Sequence, residues 1–83
     1  MPHQEELISI YARYIQSCKV KYDTAELLNG IKEARLTNFA HALSVKAQQL
    51  QLYAKGTPSI AIDLFQQQLD KMAEQAIESL KDR

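Results

Sequence analysis

The sequence predicts an all-α domain, a three-helix bundle built on a long antiparallel helical hairpin, with helices at about 2–19, 24–55 and 58–81. Three observations carry this. The 83 residues include two Gly and two Pro, too few for an all-β protein, which needs a turn signal every few residues. Ala, Leu, Gln, Lys and Glu dominate, and all are helix formers. Apolar residues recur at steps of three and four along most of the chain, the period of an amphipathic helix.

The first helix is read from Pro2 to Lys19. Pro2 suits a first turn, where its missing N–H would be unpaired anyway. Glu5 and Glu6 lie where the helix dipole favours acids. Ile8, Tyr11, Ile15, Cys18 and Tyr22 form one apolar stripe, widened by Leu7 and Tyr14. Asp23 and Glu26 have capping-box spacing, so the second helix is expected to begin near Thr24.

That second helix would run to Lys55, about 32 residues or roughly 48 Å at the helical rise. Leu27, Leu28, Ile31 and Ala34 share one face. Leu36, Phe39, Leu43, Lys46, Leu50 and Tyr53 follow a stripe displaced by roughly 100°. Either the helix is kinked or broken near 29–38, with Asn29-Gly30 or Thr37-Asn38 as weak points, or one long helix shows its first half to the first helix and its second half to the third. The short connections at both ends favour the continuous helix. A first helix of about 18 residues, roughly 27 Å, would then leave part of the second uncovered.

The run AKGTPSIA punctuates the chain. Gly56 suits a helix C′ position, where positive φ ends the helix. Thr57 is a good N-cap, and Pro58 fits the first helical position. Stop and start signals back to back predict a tight antiparallel turn. In the third helix Ile62, Phe65, Leu69, Met72 and Ala76 form a seam extended by Ala73, Ile77 and Leu80, and coiled-coil-like packing on the second helix follows. Ala40, Ala47 and Ala54 repeat every seven residues beside the seam and permit close approach. The second helix is mildly basic and the third mildly acidic, which helps set orientation more than stability.

Residues 1–83 read as one domain. Ten basic and ten acidic residues cancel, whereas nucleic-acid binders normally carry a cationic excess to replace phosphate counterions. No stretch approaches the roughly 18–20 apolar residues of a membrane span. The N-terminus lacks the basic region of a secretory signal, and a single Cys18 cannot form an internal disulfide, so a reducing, cytoplasmic setting is the default.

Catalysis finds little support. Cys18 falls on an apolar stripe, which points to a buried inert thiol. Gly30 and Gly56 are isolated and make no phosphate-binding loop. His3 has no partner at metal-ligand spacing. No catalytic, cofactor-binding or metal site is assigned. Lys46, a cation at a seam position, is expected to snorkel, to pair with an acid on the third helix, or to mark a docking point.

The segment AHALSVKAQQLQL, residues 40–52, resembles the phospho-acceptor helix of histidine phosphotransfer domains. These are four-helix bundles in which an exposed His in an A-H-[ST/A]-L-K-G run accepts phosphate. Ala40, His41, Ala42 and Leu43 carry the resemblance, which implies His41 as acceptor. Ser44 stands where that family has Lys, expected to help hold the phosphate. Val45 stands where it has Gly, expected to let the receiver domain approach.

From the residues themselves, His41 lies about 200° from Phe39, away from the seam, on a stripe with Val45, Gln48 and Leu52. This stripe is the candidate partner-binding face. The sequence therefore points to a small non-enzymatic helical protein that acts by binding another protein or a second copy of itself, in the manner of adaptors, co-chaperones, immunity proteins or regulators, with self-association the simplest form. The alternative is phosphotransfer through His41. A weaker one is a dimeric helical-hairpin RNA or DNA binder using Lys32, Arg35, Lys46 and Lys55.

Overall fold

A computed structural model describes residues 3–24 and 32–81. Among the described residues, three helices, α1 (Gln4–Thr24), α2 (Lys32–Lys55) and α3 (Ile62–Lys81), each pack against the other two. This is the expected all-α three-helix bundle, a rod of 45 × 18 × 15 Å.

The direction of each helix follows from its contacts. Tyr22 meets Phe39 edge-on at 5.9 Å between ring centroids, while the Lys46 Nζ lies 5.1 Å from the Tyr14 ring centroid. Higher residues of α1 thus meet lower residues of α2, and the two run antiparallel. The Gln4 side-chain amide donates to Gln68 Oε1 at 3.2 Å, and Lys19 Nζ donates to Ser79 Oγ at 3.0 Å, so α1 and α3 run parallel.

The N-terminal end of α1 is capped by backbone. The His3 carbonyl accepts from the Glu6 and Leu7 N–H groups at 3.0 and 3.2 Å. The expected start at Pro2 lies outside the described residues. At its other end α1 continues through Thr24, so the joint expected after Lys19, with Thr24 opening the second helix, is incorrect. Tertiary packing explains the extension: the stripe of Ile15, Cys18 and Tyr22 continues past Lys19, and Tyr22 packs against the Phe39 ring. Asp23, expected in a capping box with Glu26, is itself helical, and Glu26 lies outside the described residues. Of the segment in which a break was weighed, 32–38 is regular helix, and Leu27, Leu28, Asn29-Gly30 and Ile31 lie outside the described residues. The helices have 21, 24 and 20 residues, so α1 spans more of α2 than an 18-residue helix would.

The α2–α3 connection also differs from expectation. Gly56 follows the last residue of α2, but its backbone does not enter the left-handed region, and a Cβ there would meet only the Tyr53 carbonyl, at an ordinary 3.6 Å. The helix instead ends by tightening: Gly56 N–H donates to Tyr53 O at 3.1 Å and Thr57 N–H to Ala54 O at 3.0 Å. Thr57 is not the N-cap of α3. Its hydroxyl donates to the Tyr53 carbonyl at 3.2 Å, which satisfies a group that helix termini leave open. A turn closes from Ile60 N–H to Thr57 O at 3.1 Å, with Pro58 at the second position, where its fixed φ fits. The α3 helix begins at Ile62, and the Ala61 carbonyl accepts its first bond, from Phe65 N–H at 2.9 Å.

The core is one cluster along the axis: Leu7, Tyr11, Ile15 and Cys18 from α1, Phe39, Leu43, Leu50 and Ala54 from α2, Ile60 from the turn, and Phe65, Leu69, Ala76 and Leu80 from α3. Tyr11, Phe39, Phe65, Leu43, Leu69 and Leu80 are at most 2% exposed. The Tyr11 hydroxyl donates to the Leu43 carbonyl at 3.2 Å, so the buried phenol keeps a partner, as a buried polar atom requires. Burial, reinforced by the Asp70 carboxylate, pushes its pKa up to about 12.

Candidate functional site

On α2, His41, Val45, Gln48 and Leu52 recur at steps of four, three and four, which stacks them on one face of a helix. All four are exposed, with Leu52 at 69%. The stripe lies opposite the buried arc of Phe39, Leu43 and Leu50, because one helix cannot turn both faces into a single core.

Two assignments on α2 are corrected. Tyr53, assigned to the seam, is 64% exposed, while its neighbour Ala54 is fully buried. At this end the turn brings Ile60 into the core, and the small Ala54 side chain fits where a tyrosine ring would hold the backbones apart. Arg35, named with Lys32, Lys46 and Lys55 as a candidate nucleic-acid contact, is buried at 3% exposure. It lies one turn before Phe39 on the core arc. These four cations therefore do not make one solvent-facing basic surface; Lys55 is exposed, and nothing is described of the Lys32 side chain.

Lys46 is half-buried. Of the roles expected for it, snorkelling along the bundle fits best, but the ammonium reaches the Tyr14 ring of α1 rather than an acid of α3. An ammonium over an aromatic face is attracted by the ring quadrupole, by roughly 0.5–1 kcal/mol near a surface. Tyr14 is partly covered by the core, and burial raises its pKa, with a hydrogen bond to Cys18 adding to the shift. Cys18 itself is a buried free thiol, the core role its stripe suggested.

Beside this pair, Ile10, Arg13, Tyr14, Ser17 and Lys46 line a shallow groove of about 300 Å³ between α1 and α2. On the helical wheel Tyr53 lies roughly 20° from Lys46, two turns on, so it falls on the α1-facing edge of α2. Val45 lies one residue further out. The exposed Ile10 and Tyr53 thus flank the α1–α2 groove, while the exposed Val45 and Leu52 stand on the adjoining outward stripe of α2. Sequence reasoning found the α2 stripe and missed the α1 side of the groove. The signal was present: Ile10 precedes Tyr11 by roughly 100° of rotation and so could not join the α1 stripe. Val20, also exposed, lies two turns on from Arg13 and about 20° from it on α1, and the exposed Leu64 belongs to α3.

His41, Ser44 and Val45 are all exposed near the middle of α2, so these positions of the stretch resembling a phospho-acceptor helix face solvent, while its Leu43 is in the core. Among the described residues, no group of three or more His, Cys, Asp or Glu side chains could hold a metal ion, and no helix is long and apolar enough to cross a membrane. No protein-family model matches the chain, and comparison with curated proteins and with solved structures finds no match.

Proposed function

We propose that this protein is a non-enzymatic helical interaction module whose outer α2 face, with His41, Val45, Gln48 and Leu52, contacts another protein or a second copy of the chain. One observation carries the reading: Val45 and Leu52, with Tyr53 beside them and Ile10 across the groove, keep apolar surface in water in a bundle whose core is otherwise continuous. Scattered exposed apolar residues are ordinary, but several on one side of a small domain mark an interaction surface. Adaptors, co-chaperones, immunity proteins and regulators are built on such bundles, an analogy of architecture alone.

The test compares affinity-tagged wild-type protein with a Val45→Asp/Leu52→Asp variant, both purified from the source organism. The reading expects a discrete partner, or a dimer in sedimentation, that the variant loses while keeping its helical circular dichroism. Identical recovery from both proteins, or a strict monomer with no partner from either, contradicts it.

Phosphotransfer through His41 is a second reading, favoured by the exposure of this histidine within α2. Ser44 and Val45 weigh against it, because a Lys and a Gly are expected at those positions. Incubation with acetyl phosphate leaves His41 unlabelled if the interaction reading holds, and stoichiometric labelling there overturns it.

A further inference from the structure

We propose that the groove between α1 and α2 receives an acidic amphipathic helix of another protein. The inference rests on the interaction-module reading and adds the seat and chemistry of the partner. Its warrant is the distribution of charge. The chain is formally neutral, with ten basic and ten acidic residues, and both α1 (Glu5, Glu6, Arg13) and α3 (Lys71 and Lys81 among its acids) expose charges of both signs; the groove itself is one-signed. Asp63, Asp70, Glu74 and Glu78 of α3 are all exposed, whereas the groove is lined by two cations, Arg13 and Lys46, and no carboxylate.

The apolar groups at the same place select the class of partner. Ile10 lines the groove, and the exposed Tyr53 falls on the same edge of the α2 wheel as Lys46. A helix laid in a groove presents apolar anchors every three or four residues and polar residues at its flanks. Its anchors would cover Ile10 and Tyr53, and its flanking carboxylates would meet Arg13 and the Lys46 ammonium. Nucleic acid fits less well, since phosphate recognition calls for more cations and no aliphatic floor. A symmetric dimer through this groove would set Arg13 and Lys46 of one copy against the same cations of the other, and like charges brought together at an interface cost affinity.

The test titrates isotopically labelled protein with two synthetic peptides of about 18 residues, sharing one leucine-based helical face, with Glu at every polar position in one and Lys in the other; amide shifts are followed by NMR. The acidic peptide is expected to shift Ile10, Arg13, Ser17 and Tyr53. Arg13→Glu should weaken it by about fivefold, the scale of one exposed charge pair, and Ser17→Lys should tighten it. Both positions are exposed, so neither variant threatens the fold. Equal affinity for the Lys peptide, shifts confined to α3, no saturable binding at millimolar peptide, or tighter binding of a DNA duplex than of the acidic peptide would each overturn the proposal. If these peptides fail while Val45→Asp/Leu52→Asp still loses a native partner, the acidic helix falls and the interaction module stands; if both experiments fail, both readings fall.

Discussion

The seam between α2 and α3 and the groove between α1 and α2 use similar residues in opposite ways. In the seam, Phe39, Leu43, Leu50 and Ala54 meet Phe65, Leu69, Ala76 and Leu80, all buried. At the groove and on the adjoining outer stripe of α2, Ile10, Tyr53 and Val45 are comparably apolar and remain in water, 36%, 64% and 41% exposed. The same hydrophobic free energy, about 25 cal/mol per Å², is therefore spent on folding in one region and kept for association in the other. Mutations that weaken the fold should concentrate in the seam, and those that weaken binding should concentrate at the groove.

The comparison breaks first at Phe65, fully buried in the seam. Phe65→Ala should cost about 3–5 kcal/mol by lost transfer energy and the cavity left behind. That is a large share of the stability of a domain this small, and urea denaturation reads it directly. A loss below about 1 kcal/mol would mean that the seam does not hold the bundle together.

Alkaline pH gives the next effect. The Tyr11 phenol titrates near 10 when unfolded and at about 12 in the bundle. Below pH 10 it is protonated in both states, and its contribution is fully present. Between pH 10 and 12 the unfolded chain releases the proton while the folded one retains it, so stability falls, by about 3 kcal/mol in all. Tyr11→Phe should flatten this limb of the profile. At neutral pH the same substitution removes the hydrogen bond to the Leu43 carbonyl and should cost about 1 kcal/mol.

Gly56 gives the smallest effect and separates two accounts of the α2–α3 turn. If the turn needed positive φ, Gly56→Ala would destabilise. With ordinary backbone and room for a Cβ, alanine should instead stabilise by about 0.4–1 kcal/mol, through lower entropy of the unfolded chain. Thermal melting measures the sign.

The sequence made the stripes of α1 and α3 legible because their apolar residues keep one period. Tyr11, Ile15, Cys18, Phe65, Leu69, Ala76 and Leu80 are buried where the pattern put them. It was less informative wherever a local signal competed with packing. Asp23 and Glu26 resemble a helix start, but Tyr22 has a ring to pack against, and α1 runs on. Thr57-Pro58 resembles an N-cap with its following proline, but the Thr57 hydroxyl serves the end of α2 instead. On α2, Arg35 is buried and Tyr53 exposed, the reverse of their hydropathy; eighteen residues apart, they share one angle of the helical wheel, so their place along the rod, not helix rotation, separates them. The α2 half of the candidate face was readable as the stripe opposite the seam. The groove was not, because it exists only once Ile10 and Arg13 of α1 lie beside Lys46.

The central claim is that the outer side of α2 is kept for a partner. A photoreactive phenylalanine analogue at Leu52, compared in living cells with one at Lys71 on the exposed acidic face of α3, tests it most directly. The account predicts a discrete crosslinked species from position 52 and none from position 71. Equal crosslinking from both positions, or a species from position 71 alone, would contradict it.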